Sequence, residues 1–194
     1  MLYYRGRLPH WIPDGAVIFL TWRLAGSAPP CRTNPQWLAE PRIARIVEDA
    51  LQYGETARRF YSLYAWVIMS NHVHILIDPH APLARITKSI KNFSAREANS
   101  ILNRTGQPFW QMESYDHWVR DEAEFRRIRA YIEHNPVKAG LVNAPTEFLW
   151  SSAGVETSLD AARTSAYATS LEKKPDSALA IFSTGYRYLA PGSR

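Results

Sequence analysis

The sequence contains a single cysteine, Cys31, among its 194 residues. One thiol cannot form a disulfide within the chain, and it cannot build a zinc site made of cysteines alone. Glycine and proline number nine and thirteen, too few for a collagen-like or wholly disordered chain. Hydrophobic residues make up 46% and aromatic residues 12%, which is enough for the core of one domain of ordinary size.

Long apolar runs are absent as well. The least charged stretch, residues 61–77, contains Ser70, Asn71 and two histidines, so it does not predict a membrane span. The early apolar run at residues 16–22 is short and lacks a small-residue cleavage site, so no export signal is predicted. We therefore expect a cytoplasmic protein that does not associate with membranes.

Negative charge is scarce in the first half of the chain. Residues 1–97 contain 12 lysines and arginines against 7 aspartates and glutamates, whereas residues 98–194 contain 11 of each kind. The whole net charge of +5 therefore lies in the first half. This asymmetry favours a polyanionic partner, although charge alone fits a basic protein without such a partner equally well.

Apolar periodicity predicts alternating strands and helices. The expected strands cover residues 16–24, 60–69 and 72–78, with a fourth strand or extended segment at 109–119. A first helix is expected to begin near Pro41 and to end just before Gly54, and a second begins at Pro82. The third covers residues 122–134, after a capping-box start at Asp121, and is expected to stop at Pro136.

This order of elements predicts the fold class. Strand, helix, strand, strand, helix, strand is the order of an α+β, ferredoxin-like split βαβ antiparallel sheet, here followed by an added helix. After about residue 150 the sequence is rich in serine, alanine and threonine and has weak periodicity. We expect a short helix or two there, followed by a loosely held C-terminal tail.

Two histidines alternate in His72-Val73-His74, at the start of the third predicted strand. Because side chains alternate along a strand, both histidines share one face, while Val73 and Ile75 lie on the core-facing side. The imidazoles would lie about 7 Å apart along the strand and can chelate one divalent metal ion. A bare H-x-H pattern more often means two exposed strand histidines without a ligand.

The chain lacks features that several classes of two-histidine enzyme require. Histidine-triad hydrolases need a third alternating histidine, where this sequence has Leu76. Two-histidine phosphodiesterases need two H-x-S/T motifs, and no histidine here is followed two residues later by serine or threonine. A TIM-barrel amidohydrolase usually needs a longer chain. What remains is a site with two histidines and at least one ligand from elsewhere.

The third predicted helix can supply that ligand together with a nucleophile. Tyr131 and Asn135 are four residues apart and therefore share a helix face. Phe125, Ile128 and Ile132 form the apolar stripe, with the tyrosine at its edge. A helix packed on the sheet would place a phenol and an amide beside the two histidines. Taken alone, such a tyrosine is more often a packing residue.

Four separated motifs, in this order, resemble a known family. They are NHVHILI at residues 71–77, preceded by AWVIM; a basic helix; YIEHNPVKAGLV at 131–142; and LWSSA at 149–153. This pattern resembles the REP-associated tyrosine transposases, which belong to the HUH superfamily of single-strand nucleases. The resemblance covers about residues 5–153. Ser70 departs from it, because the family favours proline there, and Asn135 is the usual residue of this branch.

The resemblance implies a domain organisation and a chemistry. Residues 1–153 would form an HUH catalytic domain, and residues 154–194 a C-terminal extension of unknown role. His72, His74 and Asn135 would bind Mg²⁺ or Mn²⁺, and Tyr131 would attack the scissile phosphate to give a 5′-phosphotyrosine and a free 3′-OH. The protein would be a metal-dependent single-stranded DNA endonuclease and strand-transferase acting at REP-type hairpin DNA. We expect a monomer, with a dimer as the alternative.

Candidate DNA contacts are the cations of the second helix and of the first residues: Lys91, Lys88, Arg96, Arg5 and Arg7. Lys91 ranks first because it matches a basic position of the family pattern. Tyr4 or Trp110 could stack on unpaired bases, although Trp110 fits the core better. Glu133 and His134 lie off the helix face of the tyrosine and receive no role.

Two other functions fit the same sequence. A ferredoxin-like sheet can bind hairpin DNA or RNA without catalysis, and many RNA-binding domains use this fold. The full set of two histidines, a tyrosine and an asparagine argues against that function, because a pure binding module does not need all four. The other alternative is a metal-dependent phosphohydrolase that activates water against small molecules, in which Tyr131→Phe would stay active.

Overall fold

The structure, a computed structural model, describes residues 2–5, 9–12, 15–27 and 34–154, with the first two segments and Gly154 given by their backbone alone. Arg7, the residues after 154 and the expectations attached to them lie outside the described residues. The first element is a hairpin of β1 (Leu2–Arg5) and β2 (Pro9–Ile12). This hairpin was not predicted from the sequence.

Four further strands form one antiparallel sheet. They are β3 (Ile18–Arg23), β4 (Tyr61–Ile68), β5 (His72–Pro79) and β6 (Tyr115–Trp118). Their order across the sheet is β4-β5-β3-β6, and all neighbours are antiparallel. This is the split βαβ arrangement, so the predicted α+β, ferredoxin-like fold is confirmed.

Helices cover both faces of this sheet. They are α1 (Pro41–Thr56), α2 (Leu83–Ile101) and α3 (Glu122–Lys138). The larger core joins α1 and α2 to the face of β5 that carries Val73, Ile75 and Ile77. A smaller core joins α3 to the opposite face, around Leu76 and Ile132. Because strand side chains alternate, α3 lies on the same face as His72 and His74.

None of the helices in the described segments combines the length and the apolar content that crossing a bilayer requires.

Helix α1 continues beyond its expected end, and Gly54 lies inside it. A methyl group at this position would collide with the ring and hydroxyl of Tyr61. That hydroxyl donates a hydrogen bond to the carbonyl of Leu51 at 2.8 Å. Glycine at position 54 therefore allows the start of β4 to pack directly against α1. The glycine does not terminate this helix.

The prediction that Pro136 stops α3 is wrong. The helix continues to Lys138, and the N–H groups of Ala139 and Leu141 donate to the carbonyls of Asn135 and Pro136. A proline removes one backbone donor, and here the loss falls in the last turn of the helix. Pro136 is buried, and burial of its ring offsets part of that cost.

Candidate functional site

His72 and His74 lie at the first and third positions of β5, on the face covered by α3. Their ring centroids are 4.7 Å apart, with an angle of 76° between the ring planes. The rings are closer than the spacing along the strand because they lean toward each other. His74 is only 4% exposed, and His72 is half-buried. The two imidazoles therefore form one compact, largely desolvated pair.

Both histidines are neutral at physiological pH. Burial, together with the charge of Arg23, lowers the pKa of His72 to about 4. Burial, followed by the neighbouring His72 and by Arg23, lowers the pKa of His74 to about 3. Desolvation disfavours the charged imidazolium, and the neutral imidazole is the form that binds metal ions.

One nitrogen of each ring already has a partner. Nδ1 of His72 donates to Oδ1 of Asn71 at 2.6 Å, which leaves the lone pair on Nε2. Nδ1 of His74 lies 2.7 Å from Oγ1 of Thr21, its cross-strand neighbour. Nε2 of His74 is buried without a hydrogen-bond partner among the described residues. A buried polar atom without a partner is costly, so this histidine pair fits a metal ion.

Helix α3 places Tyr131 against His74, the more buried histidine of the pair. The centroid of its ring is 5.5 Å from that of His74 and 6.1 Å from that of Phe19, which meets it edge to face. Phe19 in turn stacks on His74 at 5.4 Å. Such aromatic contacts hold the rings in defined positions. The ring of Tyr131 therefore meets that of His74, which in turn contacts His72, while the catalytic roles of the three residues stay predictions.

Asn135 lies one turn after Tyr131 on α3 and is half-buried. Within the described segments, no group of three or more histidine, cysteine, aspartate or glutamate side chains could hold a metal ion. A metal ion at the histidine pair would need other oxygen ligands, from Asn135, water or the substrate. The role of Asn135 as third ligand stays a prediction.

A buried carboxylate fixes the start of α3. Asp121 accepts a hydrogen bond from the N–H of Glu124 at 2.7 Å, which confirms the predicted capped start. The Glu124 carboxylate accepts from the backbone N–H and guanidinium of Arg120, from Arg127 and from His117. Burial alone would raise the pKa of Glu124, but the hydrogen bonds from Arg120 and His117 hold it below its usual value. The helix start is thereby locked two turns before the tyrosine.

Lys91, the first-ranked candidate for a phosphate contact, is engaged elsewhere. Its ammonium donates to the carbonyls of Gln111, Met112 and Glu113 at 3.1 to 3.3 Å. Burial lowers the pKa of this lysine to about 8. Its contacts make Lys91 an anchor that ties α2 to the loop before β6, while its contact with DNA stays a prediction.

Lys88 lies far from the histidine pair. It lines a cleft of about 240 Å³ together with Arg58, Arg85 and Phe60. Phe60 immediately precedes β4, whose first residue pairs with Pro79 at the opposite end of β5 from the histidines. The structure therefore does not bring Lys88 to the candidate site.

The remaining candidate cations are not placed at the site either. Arg96 is exposed, and its guanidinium pairs with the neighbouring Glu97 at 2.8 Å. Arg5 lies on β1, where only the backbone is described, and Arg7 lies outside the described residues. These three contacts with DNA stay predictions.

Of the two aromatic candidates for base stacking, the structure describes the side chain of one. Trp110 is 8% exposed, and its Nε1 donates to Oγ of Ser94 at 2.9 Å, so its interpretation as a core residue is confirmed. The side chain of Tyr4 lies outside the described part of the chain.

Arg23 belongs to the site and was missed. It is exposed, pairs with His72 across β3 and β5, and its charge lowers the pKa of both histidines. The available signal was its spacing along the strand, because Phe19, Thr21 and Arg23 are two residues apart and therefore lie on the same face of β3. This spacing places Arg23 beside His72 only once the pairing of β3 with β5 is known.

His134 also faces the tyrosine. The two residues line one groove along α3, so the prediction that His134 lies off the face of Tyr131 is wrong. Nδ1 of His134 donates to the carbonyl of Ala130 at 3.0 Å. Glu133 lies on the other flank of the helix, where it pairs with Arg129 at 2.9 Å.

Comparisons with known proteins place this site in a family segment. A family model described as IS200-like transposase matches residues 41–135, which include both histidines, Tyr131 and Asn135. No curated protein matches the chain. A solved structure of the REP-associated tyrosine transposase bound to a REP hairpin is 20% identical, with a TM-score of 0.56, and the match covers 98% of this chain and 100% of that one.

A candidate transposase from Deinococcus radiodurans R1 is 22% identical, with a TM-score of 0.43, over 69% of this chain and 97% of that one. A similarity this low adds nothing to the fold assignment. The likeness to the REP-associated tyrosine transposase agrees with the sheet order and the three helices described above. The family segment runs from the start of α1 to Asn135, and over these residues it confirms the resemblance seen in the sequence: residues 41–135 of this chain belong to the IS200-like transposase family.

Proposed function

We propose that this protein is a metal-dependent single-stranded DNA endonuclease and strand-transferase that acts beside hairpin DNA through a 5′-phosphotyrosine. The observation that carries the proposal is the packing of Tyr131 against His74, with 5.5 Å between their ring centroids. Membership of a transposase family supports it, as does a similarly folded protein whose structure has a REP hairpin bound.

His72 and His74 would hold the metal ion, with Asn135 as a third ligand. Mg²⁺ or Mn²⁺ held by these residues would supply Lewis-acid chemistry that neutralises charge on the scissile phosphate. Both imidazoles are neutral, so each ring has one nitrogen lone pair for this task. On His72 it lies on Nε2, and on His74 Nε2 is the nitrogen without a hydrogen-bond partner among the described residues. Imidazole is a softer ligand than carboxylate, so we expect Mn²⁺ to serve at least as well as Mg²⁺ in vitro.

Tyr131 would act as the nucleophile. Its Oη forms a bond to phosphorus while the bond from phosphorus to the 3′ oxygen breaks. The phenol loses its proton to solvent, and the departing 3′ oxygen takes up a proton to become a 3′-OH. The phosphotyrosine conserves the phosphodiester bond energy, so a second 3′-OH can reverse the step and join two strands without ATP.

The substrate would be single-stranded DNA next to a small imperfect hairpin. We also propose that one chain is sufficient for catalysis. The contact of Tyr131 on the tyrosine helix with His74 on the histidine strand of the same chain supports this. Exchange of α3 between two copies is not needed to complete the site.

The test is covalent capture of a hairpin oligonucleotide. A labelled oligonucleotide taken from the DNA flanking this gene is incubated with the protein and Mn²⁺ or Mg²⁺, and the products are separated on a denaturing gel. We expect a protein–DNA adduct that disappears in Tyr131→Phe and persists in Tyr53→Phe, a matched change at an exposed tyrosine of α1. Hairpin binding without any cut would favour the binding module, and cleavage by Tyr131→Phe would favour water as the nucleophile.

A further inference from the structure

The groove beside Tyr131 carries side chains that the proposed chemistry leaves without a role. Its volume is about 570 Å³, and its lining residues are Arg127, Ala130, Tyr131, His134, Val137 and Lys138. Spacings of four, three and four residues place Arg127, Tyr131, His134 and Lys138 on one stripe of α3. At a rise of about 1.5 Å per residue, the stripe extends for about 16 Å, with the tyrosine within it.

This flank of α3 has an excess of positive charge. The ammonium of Lys138 lies 5.6 Å from the centre of the Tyr131 ring, and no carboxylate within the described residues forms a salt bridge with it. The Arg127 side chain is 69% exposed, and it shares the single carboxylate of Glu124 with Arg120. One buried carboxylate therefore faces two guanidinium groups, and the lysine has no acidic partner there.

The opposite flank of the same helix is neutral. Arg126 pairs with Glu122 at 2.8 Å, and Arg129 pairs with Glu133 at 2.9 Å, each pair spanning one turn. Every arginine on that side thus has a carboxylate of its own. The positive excess is confined to the side of α3 where the tyrosine lies, and this asymmetry points to an anionic ligand that passes along that side.

We propose that this groove binds the backbone phosphates of the single strand next to the scissile phosphate, with Lys138 and Arg127 as the phosphate contacts. The inference rests on the proposed function and deepens it by identifying the surface along which the strand runs. A stripe of about 16 Å can face several consecutive phosphates, because neighbouring phosphates of a strand are only a few ångströms apart. Such contacts position the strand in register without reading its sequence.

The test compares charge removal on the two flanks. Arg127→Gln and Lys138→Gln, singly and combined, are set against Arg126→Gln, which removes the same charge from a side chain of equal exposure, 67% against 69%. Dissociation constants are measured by fluorescence anisotropy in the full chain, over a series of salt concentrations. The probe is a labelled hairpin oligonucleotide with a single-stranded extension, and a second probe is the same hairpin without the extension.

We expect each groove variant to weaken binding of the extended probe about 5-fold at 0.1 M salt and to reduce the salt slope by about 0.7. The combined variant should lose about 25-fold, whereas Arg126→Gln should bind like the wild type. Equal losses in Arg126→Gln, or losses as large on the blunt hairpin, would overturn the inference. If the combined variant binds the extended probe with wild-type affinity and still forms the adduct, only the groove proposal is wrong. If the groove variants weaken binding as expected but the adduct survives Tyr131→Phe, only the proposed nucleophile is wrong.

Discussion

Replacement of Glu124 by glutamine tests how α3 is held in position. The carboxylate is 5% exposed and accepts hydrogen bonds from the backbone of Arg120 at 2.9 Å and from its guanidinium at 3.1 Å. It also accepts from Arg127 and His117, each at 3.2 Å. Glutamine keeps the shape of the side chain but removes its charge and turns an amide N–H₂ toward these donors.

The expected loss of stability follows from these contacts. Hydrogen bonds to a charged group contribute about 1.5 to 3 kcal/mol each. The side chains of Arg120 and Arg127 are 61% and 69% exposed, so water compensates much of their loss, and the backbone N–H of Arg120 bears the rest. We expect the free energy of unfolding to fall by about 2 kcal/mol, which lowers Tm by about 4 to 8 °C in a chain of this size.

The difference in the free energy of unfolding between wild type and Glu124→Gln should decrease as the pH is lowered. The folded pKa of Glu124 lies below its usual value, so its contribution is complete above the usual glutamate pKa of about 4.3. The contribution is lost as pH falls through the depressed pKa. Urea unfolding at pH 7 should therefore show the full difference in stability, and this difference should shrink as pH falls below the usual glutamate pKa of about 4.3 and vanish below the depressed pKa of Glu124.

Glu122→Gln is the matched control in the same helical turn. Its side chain is 48% exposed and, among the described residues, pairs with Arg126 alone, so we expect a loss below about 1 kcal/mol. Equal losses in the two variants, or a Glu124→Gln difference that does not shrink in acid, would refute the reasoning that the buried carboxylate anchors α3.

Two further predictions concern the loop anchor and the histidine pair. Lys91→Met removes the ammonium that donates to three carbonyls and should lower the free energy of unfolding in urea by about 1 to 3 kcal/mol. Lys88→Met, the control, should change it by less than about 0.5 kcal/mol. Equal effects would contradict the role of Lys91 as an anchor. His72→Ala should abolish Mn²⁺ binding measured by titration calorimetry, whereas His80→Ala, at the other end of β5, should retain it. Equal Mn²⁺ affinity in all three proteins would show that the metal binds elsewhere.

The central juxtaposition of the site could be predicted from the sequence because it depends on local periods. The two-residue period of a strand puts His72 and His74 on the face opposite Val73. The helical period of α3 puts Tyr131 at the edge of the stripe formed by Phe125 and Ile132, both of which are buried in the smaller core. Neither inference requires knowledge of a distant part of the chain.

The destinations of the cations could not be predicted, because distant contacts decide them. Lys91 is engaged by carbonyls twenty or more residues away in sequence, so its helical neighbours carry no sign of them. The place of Arg23 depends on the pairing of β3 with β5. The path of α3 through Pro136 was missed because the local rule considers only that a proline disfavours the helical conformation of the residue before it, and takes no account of burial.

The short hairpin at the start of the chain has a different cause. Each strand of β1 and β2 has four residues, too few for alternation to stand out from chance.

The most direct test of the central claim is to find the nucleotide on the protein. After reaction with a hairpin oligonucleotide and Mn²⁺, the adduct is digested with nuclease and trypsin and analysed by mass spectrometry. Trypsin releases residues 130–138, in which Tyr131 is the only hydroxyl-bearing side chain. We expect this peptide to carry the nucleotide mass, and we expect the mass to be missing in Tyr131→Phe. A nucleotide on any other peptide, or cut DNA without a protein adduct, would contradict the claim.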